Sequence, residues 1–122
     1  MSILLVEPDR VLGQSAKDGL EAFGYKVLWR RSAQTALDVL DQNSIDVLIL
    51  ELQLGKHNGV ELLYEIASYP EWKQVPIIVH SINPSVQDDT FSEAFSQLQV
   101  QEILYKPTTS TAKLVSTVKQ FV

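Results

Sequence analysis

Four residues stand at the ends of short aliphatic runs, and their types are those that handle charge. Glu7 closes "ILLVE", Glu51 closes "DVLILE", Ser81 closes "PIIVHS", and Lys106 follows "QEILY". A carboxylate set into an aliphatic run is costly to bury unless a cation or hydrogen-bond donors compensate it. Glu51 therefore needs a partner, and Lys106 is the expected one. The chain has no cysteine, which removes thiolate metal sites, disulfides and a cysteine nucleophile from consideration.

These residues can meet only if the runs that carry them are neighbouring strands. The runs at 3–7, 25–30, 46–51, 76–81 and 101–105 are short and rich in Ile, Val and Leu, as strands are. Between them the apolar residues take helical spacing. Leu12, Ala16, Leu20 and Phe23 share a face, as do Ala33, Ala36, Leu37 and Leu40, and Leu63, Ile66 and Ala67. Phe91, Ala94, Phe95 and Leu98 form a fourth stripe, and Leu114, Val118 and Phe121 a fifth. Asp9, Ser32, Asn58 and Ser110 or Thr109 are placed to cap helices, and Gly24 to end the first. Five strand and helix alternations predict one doubly wound α/β domain over residues 1–122, a five-stranded parallel sheet with helices on both faces. In such a sheet functional groups gather outside the C-terminal strand ends, where all four residues lie.

Composition narrows the function. A net charge of −5 in 122 residues, with Arg30 and Arg31 the one adjacent basic pair, argues against a nucleic-acid surface. No apolar run approaches the roughly 20 residues that span a bilayer, and "MSILLVEPDR" meets an acid and a proline too early for a signal peptide. A cytoplasmic protein, whole from its first residue and not membrane-bound, is expected.

The blocks "ILLVEPD", "DVLILELQLGKHNG", "VPIIVHS" and "ILYKP" resemble, in order, the four signature blocks of the receiver domain of two-component response regulators. The resemblance implies the flavodoxin-like receiver fold. It implies an acidic pair after the first strand that holds Mg²⁺, an aspartate ending the third strand that accepts a phosphoryl group from a histidine kinase, and a hydroxyl and a lysine that contact the phosphoryl oxygens. Glu7, Ser81 and Lys106 match; Pro8 stands in place of the second acid and Glu51 in place of the phosphoacceptor. Ile103 occupies the aromatic switch position, Gly55 the usual proline, and Gln99-Val100 the usual Gly-Ala pair, while Lys106-Pro107 is a step often cis in that family.

Glu51 is one methylene longer than aspartate, which carries its oxygens out of line for attack and toward Lys106. Pro8 supplies neither a carboxylate nor an N–H, which weakens an octahedral Mg²⁺ site; Glu7, Asp9 and Glu51 are the remaining candidate ligands. Glu51 imitates a phosphoaspartate only in part, with one negative charge and two oxygens. Ile103 has no ring to move, so the usual switch is expected to be missing.

The expectation is a degenerate receiver, a pseudo-receiver with no catalytic residue and no resident cofactor, acting by protein contact. Its partner would be a histidine kinase or an output domain, with pairing of two copies through the fourth and fifth helices, "SVQDDTFSEAFSQL" and "STAKLVSTVKQF". The rival reading is a Mg²⁺-dependent phosphoryl acceptor on Glu51. A flavin or nucleotide site is disfavoured because "EPDRV" lacks the glycines and hydroxyls that cradle phosphate. His80 should point away from the pocket as a satisfied core histidine, His57 is an exposed loop residue beside the pocket mouth or a pH sensor, and Trp72 either packs over a helix end or anchors a partner.

Overall fold

The computed structural model describes residues 1–55 and 57–122, apart from the side chain of His57. The pH-sensing reading of that imidazole thus lies outside the described residues. Five parallel strands, β1 (Ser2–Val6), β2 (Lys26–Arg30), β3 (Val47–Leu50), β6 (Ile77–Ser81) and β7 (Val100–Tyr105), form one sheet in the order β2-β1-β3-β6-β7. A two-residue antiparallel ladder, β4 (Gln53–Leu54) with β5 (His57–Asn58), follows β3, and Gly55 makes its turn at φ +71°, a conformation that glycine adopts without strain.

The helices are α1 (Arg10–Glu21), α2 (Ala33–Gln42), α3 (Gly59–Ala67), α4 (Asp89–Ser96) and α5 (Thr111–Val118). With both faces covered the strands are continuously apolar, and every residue of β3 is buried. One core packs Leu4, Leu48, Leu50, Val79, Leu62 and Phe95 on the side of α2, α3 and α4. The other packs Ile3, Leu5, Ile49, Ile78, Leu20 and Leu114 on the side of α1 and α5. This is the doubly wound architecture expected, with its strand order reversing between β1 and β3.

The predicted caps are in place. Asp9 accepts from the Leu12 N–H, Ser32 from Thr35, Asn58 from Val60 and Ser110 from Lys113. Three local expectations need correction. In α1, Ala16 and Leu20 are buried but Leu12 and Phe23 are exposed. The buried stripe begins instead at Gly13, against which the Trp29 ring lies so closely that a Cβ there would overlap the indole. Phe23 falls beyond the helix end and carries the Lys119 ammonium 4.0 Å over its ring.

The fourth helix is shorter than "SVQDDTFSEAFSQL". Pro84–Gln87 form a 3-10 turn, and Asp88, extended at ψ 133°, breaks the run and caps α4 through the Thr90 N–H at 3.0 Å. Ala94 is exposed, leaving Phe95 buried with Phe91 and Leu98 at the margin. Among the described residues every peptide bond is trans, so the cis Lys106-Pro107 step implied by the resemblance is not present.

Candidate functional site

Adjacent strand ends bring the four charged and polar residues to one pocket. Val6 pairs with Leu50 and Leu50 with Val79, so Glu7 leaves β1 beside Glu51 at the end of β3, with Ser81 closing β6. Ser81 pairs with Tyr105, which places Lys106 one residue beyond, at the far side of the same edge. All four are enclosed: Glu7 is 4% exposed, Glu51 2% and Ser81 0%, and the Lys106 side chain 7%.

Lys106 answers both carboxylates. Its Nζ donates to Glu51 Oε1 at 2.7 Å and forms an ion pair with Glu7 Oε1. Two carboxylates against one ammonium leave a negative charge, and backbone donors offset it. Glu51 accepts from the Ile82 N–H at 2.9 Å, the Gln53 N–H at 3.2 Å and the Ser81 hydroxyl. Glu7 Oε2 accepts from the Asp9 N–H at 3.1 Å. Burial pushes the Glu51 carboxyl up, but the Lys106 ammonium, the Ser81 hydroxyl and the Ile82 N–H outweigh it and hold Glu51 below the ordinary glutamate value.

The groups a divalent cation would use here are engaged within the protein. Pro8 has no side-chain oxygen, Asp9 Oδ1 is engaged 2.9 Å from the Leu12 N–H at the start of α1, and the ammonium of Lys106 lies between the two glutamates. Among the described residues no group of three His, Cys, Asp or Glu side chains is placed to share a metal ion. Ile103 is not in the pocket: it pairs with Val79 and packs on the α2, α3 and α4 side of the sheet.

Sequence reasoning missed two contributions. The N–H groups of Ile82 and Gln53 carry no side-chain signature and emerge only from the turns after β6 and β3. Trp29, on β2, donates its indole N–H to the Glu7 carbonyl at 2.9 Å and so fixes the loop that presents Glu7. The one trace of it in the sequence is Gly13, which makes room for the ring.

The other singled-out residues resolve as follows. Trp72 is half-buried, 4.5 Å from the Tyr69 ring and packed on the core beside α3, as the packing reading expects. His80 does point away from Ser81, but among the described residues its buried Nε2 has no hydrogen-bond partner, so it is not the satisfied histidine expected. Burial and the nearby Lys106 push its imidazole down to about 4, so the ring is neutral near pH 7. Arg30 ends β2, followed by the exposed Arg31.

Known proteins resemble this chain in sequence and in fold. The chain is 36% identical over 86 residues to the transcriptional regulatory protein CpxR of Escherichia coli K12, covering 70% of this chain and 35% of that protein. It is 30% identical over 109 residues to the transcriptional regulatory protein QseB of Haemophilus influenzae, covering 88% and 46%. The chain thus spans between a third and a half of the length of these relatives. The polar-differentiation response regulator DivK of Brucella ovis is 24% identical over 120 residues, covering 98% and 94%. In structure, a sensor protein from Polaromonas sp. JS666 superposes with TM-score 0.87 at 22% identity over 98% of this chain and 94% of that one. The chemotaxis response regulator CheY4 of Vibrio cholerae gives 0.85 at 20% over 99% and 98%, likenesses that speak for the fold. The response regulator receiver domain model matches residues 3–119, nearly the whole chain, and the chain belongs to that family.

Proposed function

We propose that this receiver acts without aspartyl phosphorylation, as a protein-interaction module whose pocket is closed by its own lysine. The observation that carries this reading is the Lys106 ammonium lying between Glu7 and Glu51, with Glu51 at the phosphoacceptor position. An incoming phosphoryl group needs a nucleophilic carboxylate oxygen and a cation to neutralise its charge. Here Glu51 spends both oxygens on Lys106, Ser81, Ile82 and Gln53, and the donor set is unsuited to Mg²⁺. Having no chemistry of its own to perform, the chain needs no cofactor; its partner is a protein, of the kind of a histidine kinase or an output domain, or a second copy through α4 and α5.

The test is incubation of the chain with Mg²⁺ and acetyl phosphate, read by intact mass and peptide mapping. The expected result is an unchanged mass. A phosphoryl adduct on Glu51 would reinstate the phosphoryl-acceptor reading. The Pro8→Asp/Glu51→Asp double variant is expected to gain Mg²⁺ affinity and become labelled, because it restores both missing carboxylates in their usual lengths.

A further inference from the structure

All three arginines of the chain, Arg10, Arg30 and Arg31, lie at one corner of the fold, where β2 ends beside the start of α1. Among the described residues none of them forms an ion pair, although the chain carries a net charge of −5. Arg30 Nη1 donates to the Trp29 carbonyl at 2.8 Å and Arg31 Nε to the Pro8 carbonyl at 2.9 Å, bonds that hold the guanidinium groups in place and leave further N–H donors over.

Beside them a groove of about 930 Å³ opens between α1 and the edge strand β2. The Trp29 indole and Val11, 78% exposed, give it an apolar wall, and Arg10 and Arg31 stand along it. Its one acid, Asp18, is engaged by Gln14 Nε2 at 2.8 Å. An aromatic surface beside guanidinium forks takes an apolar side chain and a carboxylate together.

We propose that the α1 and β2 groove docks an acidic segment of a partner protein, with an aliphatic or aromatic anchor against Trp29 and Val11 and carboxylates on Arg10 and Arg31. Charge complementarity selects this occupant: at this corner of an acidic molecule three arginines stand against two exposed acids, Asp9 and Asp18, an excess that attracts acids and repels basic partners. The groove is open along its length and has no glycine-rich loop to enclose a phosphate, which favours an extended chain over a nucleotide. The inference deepens the interaction-module reading by naming the partner's chemistry. Because none of the groove's lining side chains is one of the four in the Glu51 pocket, its failure and that of the acetyl phosphate experiment are distinguishable.

The experiment is a selection of random phage-displayed peptides on the immobilised full chain at low ionic strength. A synthetic copy of the most enriched peptide is then titrated into ¹⁵N-labelled protein. Enriched peptides are expected to combine Asp or Glu with Leu, Ile, Phe or Trp, to shift the Trp29 indole N–H while leaving that of Trp72 in place, and to bind more weakly as salt rises. Arg10→Glu/Val11→Asp changes two exposed side chains, and a negative residue suits the first turn of α1. The variant should keep its melting temperature and lose about tenfold or more in affinity, a difference of about 1.4 kcal/mol or more. Arg31→Lys, which keeps the charge but not the fork, should weaken binding as well. Enriched peptides without acids, unchanged binding by the double variant, or a response at Trp72 alone would overturn the proposal. So would two other occupants: a Trp29 signal that moves with protein concentration alone would assign the groove to a second copy, and one that moves with adenosine monophosphate but not with peptide would assign it to a small anion.

Discussion

Removing the Lys106 ammonium is the substitution with the largest expected cost at the pocket. Lys106→Met leaves Glu7 and Glu51 buried without their cation, a change that costs about 3–5 kcal/mol for a broken buried pair. Urea unfolding at pH 7 should show that loss, and the Glu7→Gln/Glu51→Gln/Lys106→Met triple variant should recover most of it. A cost under about 1 kcal/mol for the single variant would mean that the triad is solvated in solution. His80 makes a second, pH-dependent prediction. The folded chain keeps this imidazole neutral down to about 4, whereas the unfolded chain protonates it near 6.5. Between those values the unfolded state binds more protons, so stability is full above pH 6.5 and falls as pH drops toward 4. Glu51, held below its ordinary value, contributes stability that is lost in a lower window, under about pH 4.5. His80→Leu should flatten the upper window alone, and at pH 7 it should add about 1 kcal/mol by removing an unpartnered buried nitrogen. A denaturation series across pH separates the two windows.

At the scale of elements, the contact of α1 with β2 depends on the absence of a side chain at Gly13. Alanine at a helix interior is worth up to about 1 kcal/mol over glycine. Here its methyl would overlap the Trp29 ring, and overpacking of about 1–3 kcal/mol should win. Gly13→Ala is therefore expected to destabilise, and in the Trp29→Val background the same change should become neutral or favourable; a double-mutant cycle by thermal melting reads the coupling. This contact also marks where the sequence ceased to be legible. Strand runs, caps and the alternation of elements follow local rules, and those expectations match the structure closely. The rotation of α1 depends on an aromatic residue from another element, so spacing alone put Leu12 on the buried face. Asp88 could be read either as a helix residue or as a cap, and its side-chain bond to the Thr90 N–H decided for the cap.

For the molecule as a whole, the two cores share one sheet, so neither face can unfold while leaving the strands intact. Each face has its own tryptophan, Trp29 with the α1 and α5 core and Trp72 with the α2, α3 and α4 core. Single-tryptophan variants, Trp29→Phe and Trp72→Phe, should give coincident urea midpoints by fluorescence once corrected for any shift seen by circular dichroism. Separate transitions would show that the faces are independent. The pocket was legible for a related reason: a parallel sheet delivers all its strand ends to one side, so residue types at four ends were enough to assemble Glu7, Glu51, Ser81 and Lys106. The N–H donors of Ile82 and Gln53 were not legible, since every residue but proline has one and only the turn aims it.

The double engagement of Lys106 also bears on how substitutions in the pocket combine. Pro8→Asp alone adds a third carboxylate to a pocket that has one ammonium, and Glu51→Asp alone draws an oxygen away from the lysine and the Ile82 N–H. Each first step toward a phosphorylatable pocket is expected to pass through a less stable chain, and only both together reach a different stable arrangement. The two positions are therefore expected to be coupled, the double variant being more stable than the sum of the single changes allows.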